Sequence, residues 1–163
     1  MGIRTYANLN KKLNKLVKDN MKKITTFAYG EVERNIQTYY DEYNPKRYNR
    51  TYQFKNSPYT EDVKEIGGTY FSQVGIDYQN MMYEYNFGDD GDTAYVYWGD
   101  GEDVVRAANR GDHGVELVPY TSNNHFWDDA LTVTWNDAVQ DMFAREIRRK
   151  TGCDCQPVNG WLI

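Results

Sequence analysis

Cysteine and long apolar segments are both scarce in this sequence. Its 163 residues contain two cysteines, Cys153 and Cys155, which are too few to build a disulfide framework. No segment reaches the roughly 18 consecutive apolar residues of a membrane-spanning helix, and the amino terminus lacks the apolar run of a secretory signal. We therefore expect a protein that is synthesised in a cytoplasm and does not enter a membrane.

Motifs for catalysis and cofactor binding are also missing. The sequence has no G-x-S-x-G, no H-E-x-x-H and no glycine-rich phosphate-binding motif. Its two histidines, His113 and His125, fall in predicted loops, where we interpret them as hydrogen-bonded loop residues. The cysteine pair is spaced more closely than the ligand pairs of zinc sites, and the acidic turn at 88–92 lacks the order of an EF-hand loop. The sequence therefore predicts no enzyme, no metal site and no cofactor.

Aromatic rings and unevenly distributed charge are abundant. Fifteen tyrosines and four tryptophans accompany a mean hydropathy of −0.85, so we expect a core built from large amphipathic rings. Tyrosine and tryptophan are also enriched at interface hot spots. Residues 1–25 contain seven Lys or Arg and one acidic residue, a local charge of +6. Because the whole chain carries −5, the other residues carry −11.

A long first helix is predicted over residues 5–43, where apolar residues recur every three or four positions. It should end before Asn44-Pro45, since proline cannot continue a helix. Such a helix is roughly 60 Å long, so we expect part of it to project from the domain and to need a cover. The face opposite the leucines carries Lys11, Lys15, Lys18 and Lys22. This basic face is either solvated or in contact with an acidic protein, with nucleic acid as a further alternative.

Residues 44–60 form a basic aromatic joint between the helix and the strands that follow. The joint is bounded by Pro45 and Pro58, which restrict the backbone, and it gathers aromatic rings and cations. One interpretation is an irregular segment pinned by aromatic packing, and the other is a contact surface between subunits. The residues predicted for that surface are Tyr48, Arg50, Thr51, Tyr52, Phe54, Asn56 and Ser57.

The rest of the chain predicts strands and then helices. Period-two alternation favours antiparallel strands, and the run Leu131–Thr134, although rich in β-branched residues, continues at helical spacing through Ile147. The predicted elements are strands within 68–99, a short helix over 101–110, a closing helix over 125–151 and a tail over 152–163. We therefore predict a single α+β domain over residues 1–163, with the two longer helices packed on a small antiparallel sheet.

The run Arg50-Thr51-Tyr52-Gln53-Phe54-Lys55-Asn56-Ser57 resembles a motif of the head–tail joining proteins of long-tailed bacteriophages, the neck or tail-completion family. That family has Arg-Thr, then a glycine or an aromatic residue, then a leucine and a serine at these spacings. Here Tyr52 stands in place of the commoner glycine, and Phe54 in place of the leucine. Asp112-His113-Gly114 is similar to a turn in some of these proteins.

The resemblance implies a structural virion protein that forms a homo-oligomeric ring at the neck. It also implies that other neck, tail-tube or connector proteins are partners, and that DNA passes through the ring without specific binding. Acidic side chains would then line the lumen and repel phosphates, the candidates being Asp89, Asp90, Asp92, Glu102 and Asp103. There are two alternatives. One is a small intracellular protein-binding module, such as an inhibitor or toxin partner. The other is an enzyme with a catalytic pair of carboxylates that no sequence motif identifies.

Overall fold

The computed structural model describes residues 2–42, 52–79, 81–87, 95–110 and 125–152. The elements in chain order are α1 (Gly2–Glu42), β1 (Pro58–Ile66), β2 (Thr69–Ile76), β3 (Met82–Phe87), β4 (Tyr95–Asp100), α2 (Gly101–Asn109), α3 (Phe126–Val133), a π-helical segment (Thr134–Phe143) and α4 (Ala144–Thr151). The predicted α+β class is confirmed. Among the described helices, none is both long and apolar enough to span a membrane.

The first helix, α1, extends to Glu42, two residues before Asn44-Pro45. A proline removes an N–H and disfavours the α conformation in the residue before it, so the sequence predicts that the helix ends in this region. The burial of apolar side chains changes along the length of α1. Leu9 and Leu13 are exposed, whereas Leu16 and Ile36 are buried. The described side chains before Leu16 in α1 are therefore less covered than Leu16 itself.

The strands form two separate two-stranded sheets, where the sequence analysis predicts one meander within 68–99. β1 and β2 are joined by Gly67 and Gly68, both at positive φ, which is the conformation of a tight antiparallel hairpin turn. β3 and β4 pair antiparallel. β1 is the strand that the prediction lacks, since its sequence PYTEDVKEI is mostly charged and polar. Its pairing with β2 outweighs that weak local propensity.

The closing helix is continuous from Phe126 to Thr151, within the range 125–151 that the sequence predicts for it. Its middle ten residues are π-helical, a geometry that is rare in proteins. Gly152 ends it in the left-handed conformation, at φ 71°, and donates its N–H to the Arg148 carbonyl at 2.9 Å. This is a glycine cap of the kind that satisfies the last carbonyls of a helix.

The chain divides into two compact units, each assembled from distant segments. Unit 1 takes its described residues from Met1–Ala28, Thr60–Gln73 and Leu131–Ile163, and unit 2 from Tyr29–Tyr59 and Val74–Ala130. Whether the units constitute one folding domain is a separate property, and the single domain over 1–163 stays a prediction.

Unit 2 contains the apolar core. Its buried residues are Val32, Ile36, Phe54, Met81, Ala108, Phe126 and Ala130. Phe126 is fully buried and meets Phe54 edge to face, with 5.3 Å between ring centroids. This contact joins the start of α3 to the segment that precedes β1. The core therefore depends on pairs of residues far apart in sequence.

Candidate assembly interface

The predicted contact segment folds as a compact turn over residues 52–57. The Asn56 N–H lies 3.1 Å from the Tyr52 carbonyl and 3.1 Å from the Gln53 carbonyl. Ser57 donates both its N–H and its Oγ hydroxyl to the Phe54 carbonyl, at 3.2 and 2.7 Å. These bonds give the segment a defined shape, which a contact surface needs before it meets a partner.

Hydrogen bonding also ties the turn to the end of β2. The Asp77 N–H donates to the Ser57 carbonyl at 2.9 Å. Ser57, which the sequence analysis places in a contact surface, is buried because both its hydroxyl and its carbonyl serve this internal network. The described structure thus assigns Ser57 an internal role.

Phe54, also predicted as a contact residue, lies in the core of unit 2 with 3% of its surface exposed. Its ring packs against Phe126 and meets Tyr39 edge to face at 5.9 Å. The turn carries both Tyr52 and Phe54, and the phenyl ring, which has no polar atom to hydrate, is the one buried. The sequence pattern does not reveal this choice, because both residues are aromatic and only two positions apart.

Tyr52 is the contact candidate that remains at the surface. Half of its surface is exposed, and its ring stacks on Tyr40 of α1 with 5.6 Å between centroids and 18° between planes. Its φ is 57°, so a tyrosine occupies the left-handed region that glycine adopts most easily. That conformation costs about 1–2 kcal/mol for a residue with a side chain. An exposed aromatic ring is therefore held in place on strained backbone.

The structure describes the other predicted site residues only in part. Asn56 is exposed, whereas Tyr48, Arg50 and Thr51 lie outside the described residues. Of the acidic lumen candidates, Asp89, Asp90 and Asp92 also lie outside the described part of the chain. Glu102 and Asp103 occupy the first turn of α2 and are exposed, and Glu102 accepts a hydrogen bond from Arg106 at 2.5 Å. Acidic groups near a helix amino terminus suit its dipole.

Asn109 links the end of α2 to the start of α3, a role that the sequence analysis does not identify. Its side-chain oxygen accepts the Trp127 N–H at 3.0 Å. Its carbonyl lies 3.0 Å from Nδ1 of His125, so the imidazole nitrogen must be the donor there. His125 is thus a hydrogen-bonded residue beside a helix start, as predicted. Within the described ranges, no group of three or more His, Cys, Asp or Glu could hold a metal ion.

Unit 1 carries a groove that is lined by charged, polar and apolar side chains. These are Lys22, Lys23, Lys150, Asp19, Thr26, Phe27 and Met142. The sequence analysis finds the lysine of α1 but not the groove, because Met142 and Lys150 come from the opposite end of the chain.

Glu146 is held by cations on the same carboxyl-terminal helix. Arg149 donates to both of its carboxylate oxygens, at 2.7 and 3.0 Å, and Lys150 Nζ lies 3.4 Å from Oε1. The hydrogen bonds from Arg149 lower the pKa of Glu146 from 4.5 to about 2, with smaller contributions from the Arg149 charge, Lys150 and Lys23. At neutral pH this carboxylate is therefore ionised and paired.

Large apolar side chains are exposed in unit 1. They are Tyr6, Leu9, Leu13, Ile66, Phe71 and Leu131. Exposed apolar side chains that cluster on a soluble protein often mark surfaces for association. None of these residues lies in the predicted contact segment. Three of them, Tyr6, Leu9 and Leu13, lie on the predicted first helix.

Comparison with known proteins gives one family. The sequence model of a family described as YomN matches residues 5–149, most of the chain. No curated protein matches the chain, and no solved structure matches it either.

Proposed function

The chain belongs to the phage-associated YomN family, whose name is that of a Bacillus prophage gene, and we propose from this premise that it is a structural protein of a tailed-phage virion. In this proposal identical copies form a ring at the head–tail neck, where the ring completes the tail or joins it to the head. Other neck, tail-tube or connector proteins are its partners. It acts by geometry, without catalysis and without a cofactor.

The exposed, strained Tyr52 is the observation that carries this proposal. A subunit of an assembly presents side chains at its surface that become buried on association, and aromatic anchors are the commonest of these. Backbone strain at a surface residue is often retained for function, since selection for stability alone would remove it. Tyr52 combines an exposed ring, a positive φ and support from Tyr40. This combination fits a contact residue better than a loop residue with no partner.

Charge supports the second part of the proposal, passage of DNA without binding. Residues outside the first 25 carry −11, and Glu102 and Asp103 are exposed at the start of α2. We propose that these acidic groups, with Asp89, Asp90 and Asp92, face the lumen. Like charge repels the phosphates of a passing duplex and prevents adhesion.

Native mass spectrometry and negative-stain microscopy of the purified full chain test the ring. We expect a single closed oligomer of identical copies with a central opening. The number of copies is read directly from its mass. A chain that stays monomeric at every concentration and salt tested contradicts the proposal.

A gel-shift titration with duplex DNA tests the lumen. We expect no shift at about 0.15 M salt, where charges are screened over about 8 Å. Binding through phosphate neutralisation would fall steeply with added salt. A shift that disappears when Lys11, Lys15, Lys18 and Lys22 are all changed to Gln would instead identify the basic face of α1 as a nucleic-acid surface.

A further inference from the structure

The amino-terminal part of α1 carries an apolar stripe of three residues, Tyr6, Leu9 and Leu13. They are 73%, 61% and 42% exposed. At 100° per residue they lie within a band about 60° wide on one face of the helix. Leu16 and Asn20 continue that face and are buried. The same face is thus covered from Leu16 onward and left open before it.

A second exposed apolar surface lies at the tip of the β1–β2 hairpin. Ile66 and Phe71 are 67% and 51% exposed, on either side of the Gly67-Gly68 turn. Residues alternate between the two faces of a strand, and Tyr70 and Ser72, next to Phe71, are the half-buried ones. In a hairpin with a two-residue turn, Ile66 and Phe71 therefore lie on the same outward face.

The two surfaces differ in charge. The stripe belongs to the segment that carries +6 over residues 1–25, and the exposed Lys12 flanks it one position before Leu13. The hairpin strands contain Glu61, Asp62 and Glu65 against one cation, Lys64, a net charge of −2. Asp62 and Lys64 are both exposed on the β1 face of Ile66, and Lys64 is paired with Glu61 at 2.5 Å. The stripe is therefore an apolar centre in a segment of charge +6, and the tip is an apolar centre in a hairpin of net charge −2.

We propose that the hairpin tip of one copy docks on the α1 stripe of a second copy. Ile66 and Phe71 would then cover Tyr6, Leu9 and Leu13, with Asp62 near Lys12. This inference rests on the proposed ring and names the contact that builds it. Burying apolar groups supplies affinity, and opposite charges set orientation and exclude wrong pairings.

Charge also selects between the two ways in which identical copies can associate. A twofold pairing of two stripes would bring two +6 segments together across a distance close to the screening length of about 8 Å. Docking of the tip on the stripe instead joins opposite charges. It uses two different surfaces, so every copy keeps one free stripe or tip until the series closes. A contact of this head-to-tail kind generates a ring when its rotation closes.

Two variants of the full chain separate these possibilities. The stripe variant carries Leu9→Asp and Leu13→Asp, and the tip variant carries Ile66→Asp and Phe71→Asp. Because all four residues are exposed, we expect each variant to fold, as checked by circular dichroism. By native mass spectrometry each alone should be monomeric. An equimolar mixture should give a heterodimer of one copy each and nothing larger, since each variant retains one working surface.

A matched pair of single substitutions locates the contact on the helix. Lys12→Glu should weaken association about 10-fold, as expected for a charge beside a contact, and Asp62→Lys added to it should restore most of the loss. Lys18→Glu makes the same charge change on the opposite face of α1 and should change affinity less than about 3-fold. Equal effects of the two substitutions would show that α1 acts only through its net charge and would overturn the docking.

The remaining outcomes distinguish this contact from the ring itself. If the wild-type chain assembles and the two variants assemble equally well, the docking is wrong and the ring stands. If both variants are monomeric but do not pair with each other, the contact is twofold or lies elsewhere. A wild-type chain that never assembles overturns both the ring and the docking.

Discussion

The two units of this protein differ in the proportion of apolar and polar side chains that they bury, although unit 2 also buries Glu31 and Ser57. Unit 2 encloses seven buried apolar residues in one cluster. Among the side chains of unit 1 whose burial the structure describes, Leu16 is the one buried apolar residue, and it accompanies buried polar residues. These are Asn20, Thr25 and Thr134. Among the side chains that the structure describes, the interior of unit 2 is therefore mostly apolar and that of unit 1 mostly polar.

The buried polar side chains of unit 1 are only partly hydrogen-bonded. Thr25 donates to the Met21 carbonyl at 2.8 Å and is also hydrogen-bonded to Ser72, which ties α1 to β2 within unit 1. However, Asn20 Nδ2 and Thr134 Oγ1 are buried without a partner in the described protein. Each such group typically costs about 1–3 kcal/mol. Unit 1 thus loses stability at the place where it has little apolar burial to offset the loss.

The large exposed hydrophobic residues of the two units also differ in type. Among the unit 2 side chains that the structure describes, the large exposed hydrophobic residues are Tyr52, Tyr59 and Tyr78, whose hydroxyls can remain hydrated. In unit 1 they include Leu9, Ile66 and Phe71, which have no polar atom in the side chain. A unit that exposes several apolar side chains can bury them by associating with another chain.

The largest effect that tests this comparison comes from truncating one buried side chain of α1 in each unit. Ile36→Ala should cost about 4 kcal/mol, because the cavity opens inside an apolar cluster that cannot collapse. Leu16→Ala removes the same number of carbons from the same helix and should cost about 2 kcal/mol, since its surroundings are less apolar. Urea unfolding monitored by circular dichroism measures both. Equal losses would mean that the two interiors are energetically alike.

The next test adds a methyl group in each unit. A Cβ on Gly101, in unit 2, would lie 2.1 Å from the Tyr78 carbonyl oxygen and 2.7 Å from Met81 Cβ. Since a backbone atom must move, we expect Gly101→Ala to destabilise by about 3 kcal/mol.

Gly67, in unit 1, provides the contrasting case. Its φ is +60°, and a Cβ added to it would meet no other atom within 4 Å. Gly67→Ala should cost about 1 kcal/mol through its backbone alone, and Gly67→Asn should recover part of that, since Asn tolerates positive φ. Thermal melts of the three variants check the order. A larger loss of stability at Gly67 than at Gly101 would contradict the conclusion that the chain is packed more tightly around Gly101 in unit 2.

A smaller effect separates the structural role of Tyr52 from its proposed contact role. Tyr52→Ala removes the stack on Tyr40 but keeps the left-handed backbone, so we expect a loss of about 1 kcal/mol. Tyr52→Gly also relieves the strain, so its stability should be close to wild type. If the Tyr52 side chain contacts another subunit, both variants should assemble poorly, although Tyr52→Gly is as stable as the wild type. Normal assembly of Tyr52→Gly would show that Tyr52 acts only within its own chain.

The smallest expected effect is electrostatic and belongs to unit 1. The folded-state pKa of Glu146 is lowered from 4.5 to about 2, so its contribution is present above pH 4.5 and is lost as the pH falls toward 2. Arg149→Gln should raise the pKa of Glu146 toward 4.5 and flatten the acid limb of stability in that window. Arg145→Gln, whose partner is Asp141, is the matched control and should leave the Glu146 titration unchanged. Carbon-detected carboxyl titrations by NMR measure both, and equal shifts would contradict the assignment to Arg149.

The candidate site shows how far local patterns reach. The turn containing Tyr52 falls within the predicted joint, because two prolines and a cluster of rings mark it in the sequence. The positive φ of Tyr52 is not predictable from residue type, since tyrosine seldom adopts it. The exposed hairpin tip is missed for a different reason. β1 has too many charged residues to show a strand pattern, so Ile66 has no predicted element.

Sequence by itself determines the elements that depend on neighbours within a few residues. These are the end of α1 at Glu42 before a proline, the closing helix through Leu131–Thr134 and its glycine cap at Gly152. Tertiary structure alone decides which of two nearby aromatic residues is buried, as with Phe54 and Tyr52, and where the covered face of α1 begins. Helix hydrogen bonds and caps depend on neighbours within a few residues. Burial depends on segments that come together from distant positions, and no local sequence pattern identifies those segments.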